Sequence, residues 1–296
     1  MELPLMLDLV AATGLVTELR VLPSTRAIVT WNTAEAVDTL EVTVHARDGR
    51  RSRPLPYVAF EAGRRASLDG FDEVAAIETD VVRAPGEIVA LEVSSHRPLT
   101  RVAASTPPAE PPRAYGPSSA RELEVPERSQ YVAEFPHERG WCAPASLAML
   151  IGTWRETPAV ADVAAGVFDR AYNGTGNWAF AVAYAGACGL AGAAAYLRDL
   201  VNVEAFIAAG LPLAASISWS NDALPGAPLE RSDGHILVVR GFDERGDVIV
   251  NDPAQPAVRH VYPRAAFARC WLDHGGVALL VAPPERIEDL LRCANA

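Results

Sequence analysis

The periodicity of this chain changes across one proline-rich stretch, and that change bounds the folds open to it. Ser105-Thr-Pro-Pro-Ala-Glu-Pro-Pro-Arg-Ala-Tyr-Gly-Pro117 carries five prolines in thirteen residues and reads as an extended linker. Ahead of it, Ala27–Trp31, Thr39–Val44 and Ile88–Val93 place apolar side chains at every second position, the period of a half-buried strand. Turn signals stand between them at Asp48-Gly49, Asp69-Gly70 and Pro85-Gly86. Short strands at this spacing predict a β-sandwich over residues 1–105, with the linker at 106–119. Beyond the linker, Pro144–Trp154, Ala159–Tyr172, Trp178–Cys188 and Val203–Ala209 read as helices. Leu211–Trp219, Ile236–Phe242, Val248–Asn251 and Val277–Ala282 then read as strands. Helices first and strands afterwards predict an α+β domain over residues 120–296.

Composition removes several chemistries. All 26 basic residues among the 296 are arginine, so no Schiff-base lysine, Ser–Lys dyad or P-loop lysine is available. A net charge of −11 argues against a nucleic-acid partner, which needs a basic face to neutralise phosphates. Cys142, Cys188, Cys270 and Cys293 form no CxxC pair, which leaves zinc sites, thioredoxin-like motifs and disulfide frameworks without support. No apolar run reaches the roughly 20 residues that span a bilayer. The N-terminus, MELPLMLDLV, carries acids where a secretory signal carries positive charge, so the expectation is a soluble chain, cytosolic or already trimmed.

One of the four cysteines has candidate partners. Gly140-Trp-Cys-Ala-Pro-Ala-Ser-Leu-Ala-Met149 sets Cys142 just ahead of a helix with Pro144 in its first turn. The unpaired N–H groups and positive dipole end there favour a thiolate, the nucleophilic form. His235 opens the apolar strand Ile236–Phe242, where an imidazole can be held rigidly with its edge open to a cleft. If Phe242 pairs with Asp247 across the Asp243–Gly246 turn, Asp252 falls opposite Leu237, on the face of His235. Asp252 could then orient the imidazole; a slip of one residue would put Asn251 there instead. For the tetrahedral oxyanion, the Cys142 N–H supplies one donor and Gln130, twelve residues upstream, is a candidate for the other. Each residue also has a plainer reading: core cysteine, strand-edge histidine, turn aspartate, solvated glutamine.

Ser129-Gln130-Tyr131, Gly140–Ser146, Gly234-His235 with its strand, and Asn251-Asp252-Pro253 together resemble papain-like cysteine peptidases of the bacteriocin-processing type. That family cuts double-glycine leader peptides and has stand-alone relatives of unknown substrate. The resemblance spans roughly residues 124–282, including Phe267–Trp271 before the last strand, and implies a papain-like α+β fold. It implies Cys142 as nucleophile, His235 as general base and acid, Asp252 as its orienter and Gln130 as oxyanion donor. Ala143 departs from the glycine of many relatives without removing a reacting group. The expected function is a cysteine peptidase or amide hydrolase with no cofactor, acting on a peptide or amide-containing substrate. An acyltransferase using the same acyl-enzyme, and a silent papain-like scaffold behind a protein- or carbohydrate-binding sandwich, are the alternatives.

Weaker signals remain. His137 is an alternative base for Cys142, but a five-residue loop rarely aligns such a pair, and Trp141 breaks the zincin-like start His137-Glu138. Asn173-Gly-Thr-Gly176 reads as a loop that could rim the cleft with Trp178. Trp219, Asn221 and Asp222 could touch substrate or simply join two strands. Cys188 and Cys270 read as core, Cys293 as part of a frayed tail, and Met149 and Trp154 as packing.

Overall fold

The computed structural model describes residues 5–12, 14–33, 39–61, 64–113, 119–138 and 140–296. Strands before the proline-rich stretch are β1 (Leu7–Ala11), β2 (Val16–Asn32), β3 (Thr39–Ala46), β4 (Leu55–Glu61), β5 (Arg64–Ser67), β6 (Ala76–Glu78), β7 (Val81–Ser95) and β8 (Arg101–Ser105). After it come β9 (Arg121–Glu122), β10 (Ala191–Tyr196), β11 (Leu213–Ser220), β12 (Arg231–Phe242), β13 (Val248–Asn251), β14 (Arg259–Tyr262) and β15 (Val277–Ala282). The helices are α1 (Cys142–Gly152), α2 (Val160–Val167), α3 (Trp178–Ala187), α4 (Leu200–Ala208), α5 (Arg264–Leu272) and α6 (Ile287–Ala294). No helix among the described residues is long and apolar enough to cross a membrane.

The chain divides into two compact units. The first holds the described residues of 1–109 and 166–196, with Asn295; the second holds those of 110–165 and 197–294, with Ala296. In the first unit the strands follow the order β1-β8-β2-β7-β3-β4-β5, with β6 also on β7. This is one continuous antiparallel sheet by its pairing, where the alternation predicts two. The reason lies in β2 and β7, which are 17 and 15 residues long and pair on both sides of a break. Register is lost between Arg20 and Ser24 and again between Ser24 and Arg26. Pro23 and Pro85 fall in these breaks, where their missing N–H groups cost no ladder bond. Pro85-Gly86 therefore bends a strand and does not end one.

Residues 166–196, read from the sequence with the 120–296 stretch, pack with the first unit. Phe180 of α3 meets the buried Trp31 of β2 edge-on at 6.2 Å, and Tyr57 meets the same indole at 6.0 Å. Asn32 adds polar stitches, its Nδ2 donating to the Val182 carbonyl and its Oδ1 accepting from the Gly192 N–H. At Gly186 a Cβ would come within 2.7 Å of the Thr33 nitrogen, so only glycine permits this approach. The Asn173–Gly176 turn also belongs here, closed by paired backbone bonds between Asp169 and Gly174.

In the second unit five strands run antiparallel in the order β15-β11-β12-β13-β14, and β9 adds to the end of β12. α1 lies against β12 and is buried from Ala143 through Ile151, which is why its sequence is apolar on every side. α6 is the opposite case, with Ile287, Leu290, Cys293 and Ala294 turned inward. Cys293 is thus 3% exposed in an ordered helix, not part of a frayed tail. The amphipathic spacing of that helix carries the cysteine inside.

Candidate active site

Cys142 is the first residue of α1. Pro144 stands in the first turn, where a backbone N–H would have no helical partner, and Ala145 makes the bond to the Trp141 carbonyl at 3.0 Å. One turn after the cysteine, buried Ser146 donates its hydroxyl to the Ile236 carbonyl at 2.9 Å. That bond fixes the start of α1 to the strand residue beside His235.

His235 is 5% exposed on β12. Its Nε2 stands 2.7 Å from Asp252 Oδ1, which leaves Nδ1 for the side-chain hydrogen bond to Cys142. Trp219 of β11 meets the imidazole edge-on, its ring 5.6 Å away at 86° and its Nε1 donating to the Leu229 carbonyl. A register shift between Ile217 and Trp219 opposite Ser232–His235 aims the indole there.

Asp252 has no exposed surface. Oδ1 accepts from His235 and from the Ala254 N–H at 2.9 Å, and Oδ2 accepts from the Tyr262 hydroxyl at 2.7 Å. The neighbours of Asp252 hold the preceding loop. Asn251 donates to the carbonyls of Val125 and Pro126 and accepts from Arg240, while the Pro253 carbonyl accepts from the Gln130 N–H at 2.9 Å and the Ser129 hydroxyl. Gln130 is buried on this stitched segment, and Asn251 is used in holding it.

The electrostatics follow from these contacts. Burial opposes charge at Cys142, yet the hydrogen bond and charge of His235, with the backbone at Ile236 and Ala143, hold the thiol below its ordinary range. Burial likewise works against the imidazolium, but hydrogen bonds to Asp252 and Cys142 push His235 up to about 10. For Asp252, burial is outweighed by His235, Tyr262 and the Ala254 N–H, and the carboxyl lies below its usual range. These contacts favour a thiolate–imidazolium pair backed by a carboxylate. Burial raises the thiols of Cys188, Cys270 and Cys293 instead, and all four cysteines are free.

The structure thus brings Cys142, His235 and Asp252 into one hydrogen-bonded chain and anchors Gln130 to the residue after Asp252. His137 is exposed, while His235 holds the bond to the thiol. Asn221 and Asp222 lie in an exposed turn. A cavity of about 380 Å³ at the end of β11, lined by Ser218, Ser232, Asp233, Arg269 and Cys270 among others, shares only Trp219 with this set. Tyr262 is a contribution that motif reading misses, and Ser146 stands at the end of the Gly140–Ser146 motif with its role unread. Ser146 does leave a signal, as the one hydroxyl in the apolar run Cys142–Gly152.

A half-buried thiol hydrogen-bonded to an imidazole can, as thiolate, attack an electrophilic carbon and return a proton to a leaving group, the working parts of a thiol hydrolase. The family model described as Peptidase_C39 like matches residues 122–279, more than half of the chain, and the chain belongs to that family. Two solved structures are similar to it. A double glycine motif protease from an AMS/PCAT transporter, in complex with the leader peptide, aligns at 17% identity over 57% of this chain and 99% of its own, with a TM-score of 0.38. A C39-like peptidase from Bacillus anthracis aligns at 16% identity over 56% of this chain and 98% of its own, with a TM-score of 0.41. No curated protein matches the chain.

Proposed function

We propose that this member of the family is an active cysteine peptidase or amide hydrolase working through Cys142, His235 and Asp252. The observation that carries the reading is the continuous chain Cys142–His235–Asp252, with its 2.7 Å imidazole–carboxylate contact on buried elements. The Cys142 thiolate attacks the carbonyl carbon of a peptide or amide. The oxyanion formed is held by the Cys142 N–H and the side-chain amide of Gln130. His235 gives its proton to the leaving nitrogen as the C–N bond breaks, leaving a thioester on Cys142. Neutral His235 then takes a proton from water, the hydroxide cleaves the thioester, and the carboxylic acid departs with thiolate and imidazolium restored. Asp252 keeps the imidazole proton on Nε2 and balances its charge. No cofactor takes part.

All four proposed residues lie in the second unit, and residues 1–105, which fall in the first, are read as an accessory domain. The test is a peptide and amide library, with double-glycine sequences among its members, incubated with the parent chain and with Cys142→Ala. New amine termini with the parent alone support the reading. Equal release by both proteins, or none by either, refutes it.

A further inference from the structure

The hydrogen bonds around Asp252 extend one residue beyond the proposed catalytic set. Tyr262 of β14 is fully buried, its hydroxyl donates to Asp252 Oδ2 at 2.7 Å, and its ring meets His260 at 4.7 Å. Gln255 Nε2 donates to the same phenol oxygen at 3.2 Å and to the Gly226 carbonyl at 2.6 Å. A phenol has one proton, and its oxygen already accepts from an amide that cannot take it. That proton therefore points at Asp252. Burial, with the Asp252 charge and hydrogen bond, holds the phenol well above its ordinary range, so the proton stays on the tyrosine.

We infer that Tyr262, aimed by Gln255, is a positioning residue that keeps Asp252 ionised and fixes which of its oxygens faces His235. This rests on the proposed role of the Cys142–His235–Asp252 chain. With Oδ2 engaged by Tyr262, only Oδ1 is presented to the imidazole, where the Ala254 N–H also holds it. The titratable groups facing Asp252 are His235 from β12 and Tyr262 from β14, with half-buried His260 behind the tyrosine ring. A carboxylate that loses a donor protonates at higher pH. His235 then loses its counter-charge, and Cys142 its thiolate, earlier as pH falls.

Tyr262→Phe keeps the ring and removes the donor; Gln255→Met keeps the donor and frees its direction. In the full chain, the rate of Cys142 alkylation by iodoacetamide is measured against pH beside peptide hydrolysis. Tyr262→Phe is expected to lower kcat about tenfold or more with KM within twofold of the parent. It is also expected to move the acid limb of alkylation to higher pH, with Gln255→Met moving it the same way by less. A folded Tyr262→Phe with the parental acid limb overturns the inference, whatever its kcat. If Tyr262→Phe does not fold, an unmoved limb in Gln255→Met overturns it. If the parent hydrolyses no peptide, the peptidase reading fails while the alkylation limb still decides the role of Tyr262.

Discussion

Ser146 donates its buried hydroxyl to the carbonyl of Ile236, 2.9 Å away, and so ties the helix that begins at Cys142 to the strand that carries His235. Two short connections, one through side chains and one through this bond, span the same pair of elements. Cys142 and Ser146 are one helical turn apart, and Ile236 follows His235 directly.

Ser146→Ala removes the bond and leaves the shape nearly unchanged. The expected cost is about 1–2 kcal/mol, read as a Tm lower by roughly 3–6 °C. Because the helix start is then free to shift against the strand, kcat is expected to fall with KM little changed. Thermal unfolding and steady-state kinetics check both; an unchanged kcat would show that the tie stabilises without aligning.

Asp252→Asn keeps an acceptor for His235 and removes the charge. A charge-assisted hydrogen bond contributes about 1.5–3 kcal/mol, so hydrolysis is expected to drop about ten- to a hundredfold, and further in Asp252→Ala. His235 is pushed up to about 10 with Asp252 as its first favourable partner. The alkaline limb of hydrolysis, where the imidazolium is lost, is therefore expected to move to lower pH in Asp252→Asn. A pH–rate profile reads that limb directly.

Asp80 gives a prediction confined to the first unit. Its carboxyl is buried and accepts the Trp178 N–H at 2.9 Å; burial, opposed by that bond and aided by Asp169, pushes it up to about 6. The unfolded carboxyl titrates near 3.8, so between these values the folded state binds more protons and stability falls as pH rises. Asp80→Asn removes this dependence. The variant is expected to gain on the order of 3 kcal/mol over the parent at pH 7 and nothing near pH 3.5, measured by urea unfolding. A gain equal at both pH values would point to packing instead.

What the sequence makes legible is what is local and periodic. Val248–Asn251 and Val277–Ala282 are strands over the residues that alternation predicts, and α1 and α3 begin within two residues of their predicted starts. Placing Asp252 near His235 needed a register, which the structure reaches by another route. The ladder opens at Phe242 with Val248 and not Asp247, and a shift between Val239 and Gly241 then restores Val238 opposite Asn251. Two one-residue differences cancel, so the predicted face is the observed one. β10 was invisible because Ala191-Gly-Ala-Ala-Ala-Tyr196 has helical propensity and becomes a strand only through burial at every position. Tyr262 escaped for a related reason: its role needs β14 beside β13, and Arg259-His-Val-Tyr262 carries no turn or motif that announces that pairing.

Everything proposed for this site depends on Cys142, alone among the four cysteines, being held as a thiolate by His235. The direct test is site-resolved iodoacetamide labelling of the folded chain from pH 5 to pH 10, in the parent and in His235→Ala. Cys142 is expected to react well before Cys188, Cys270 and Cys293 at pH 6. In His235→Ala the Cys142 profile is expected to move up toward or beyond that of an ordinary thiol, near pH 9. Labelling of Cys142 that begins only near pH 9 in the parent, or a profile that His235→Ala leaves in place, would contradict a thiolate held by His235.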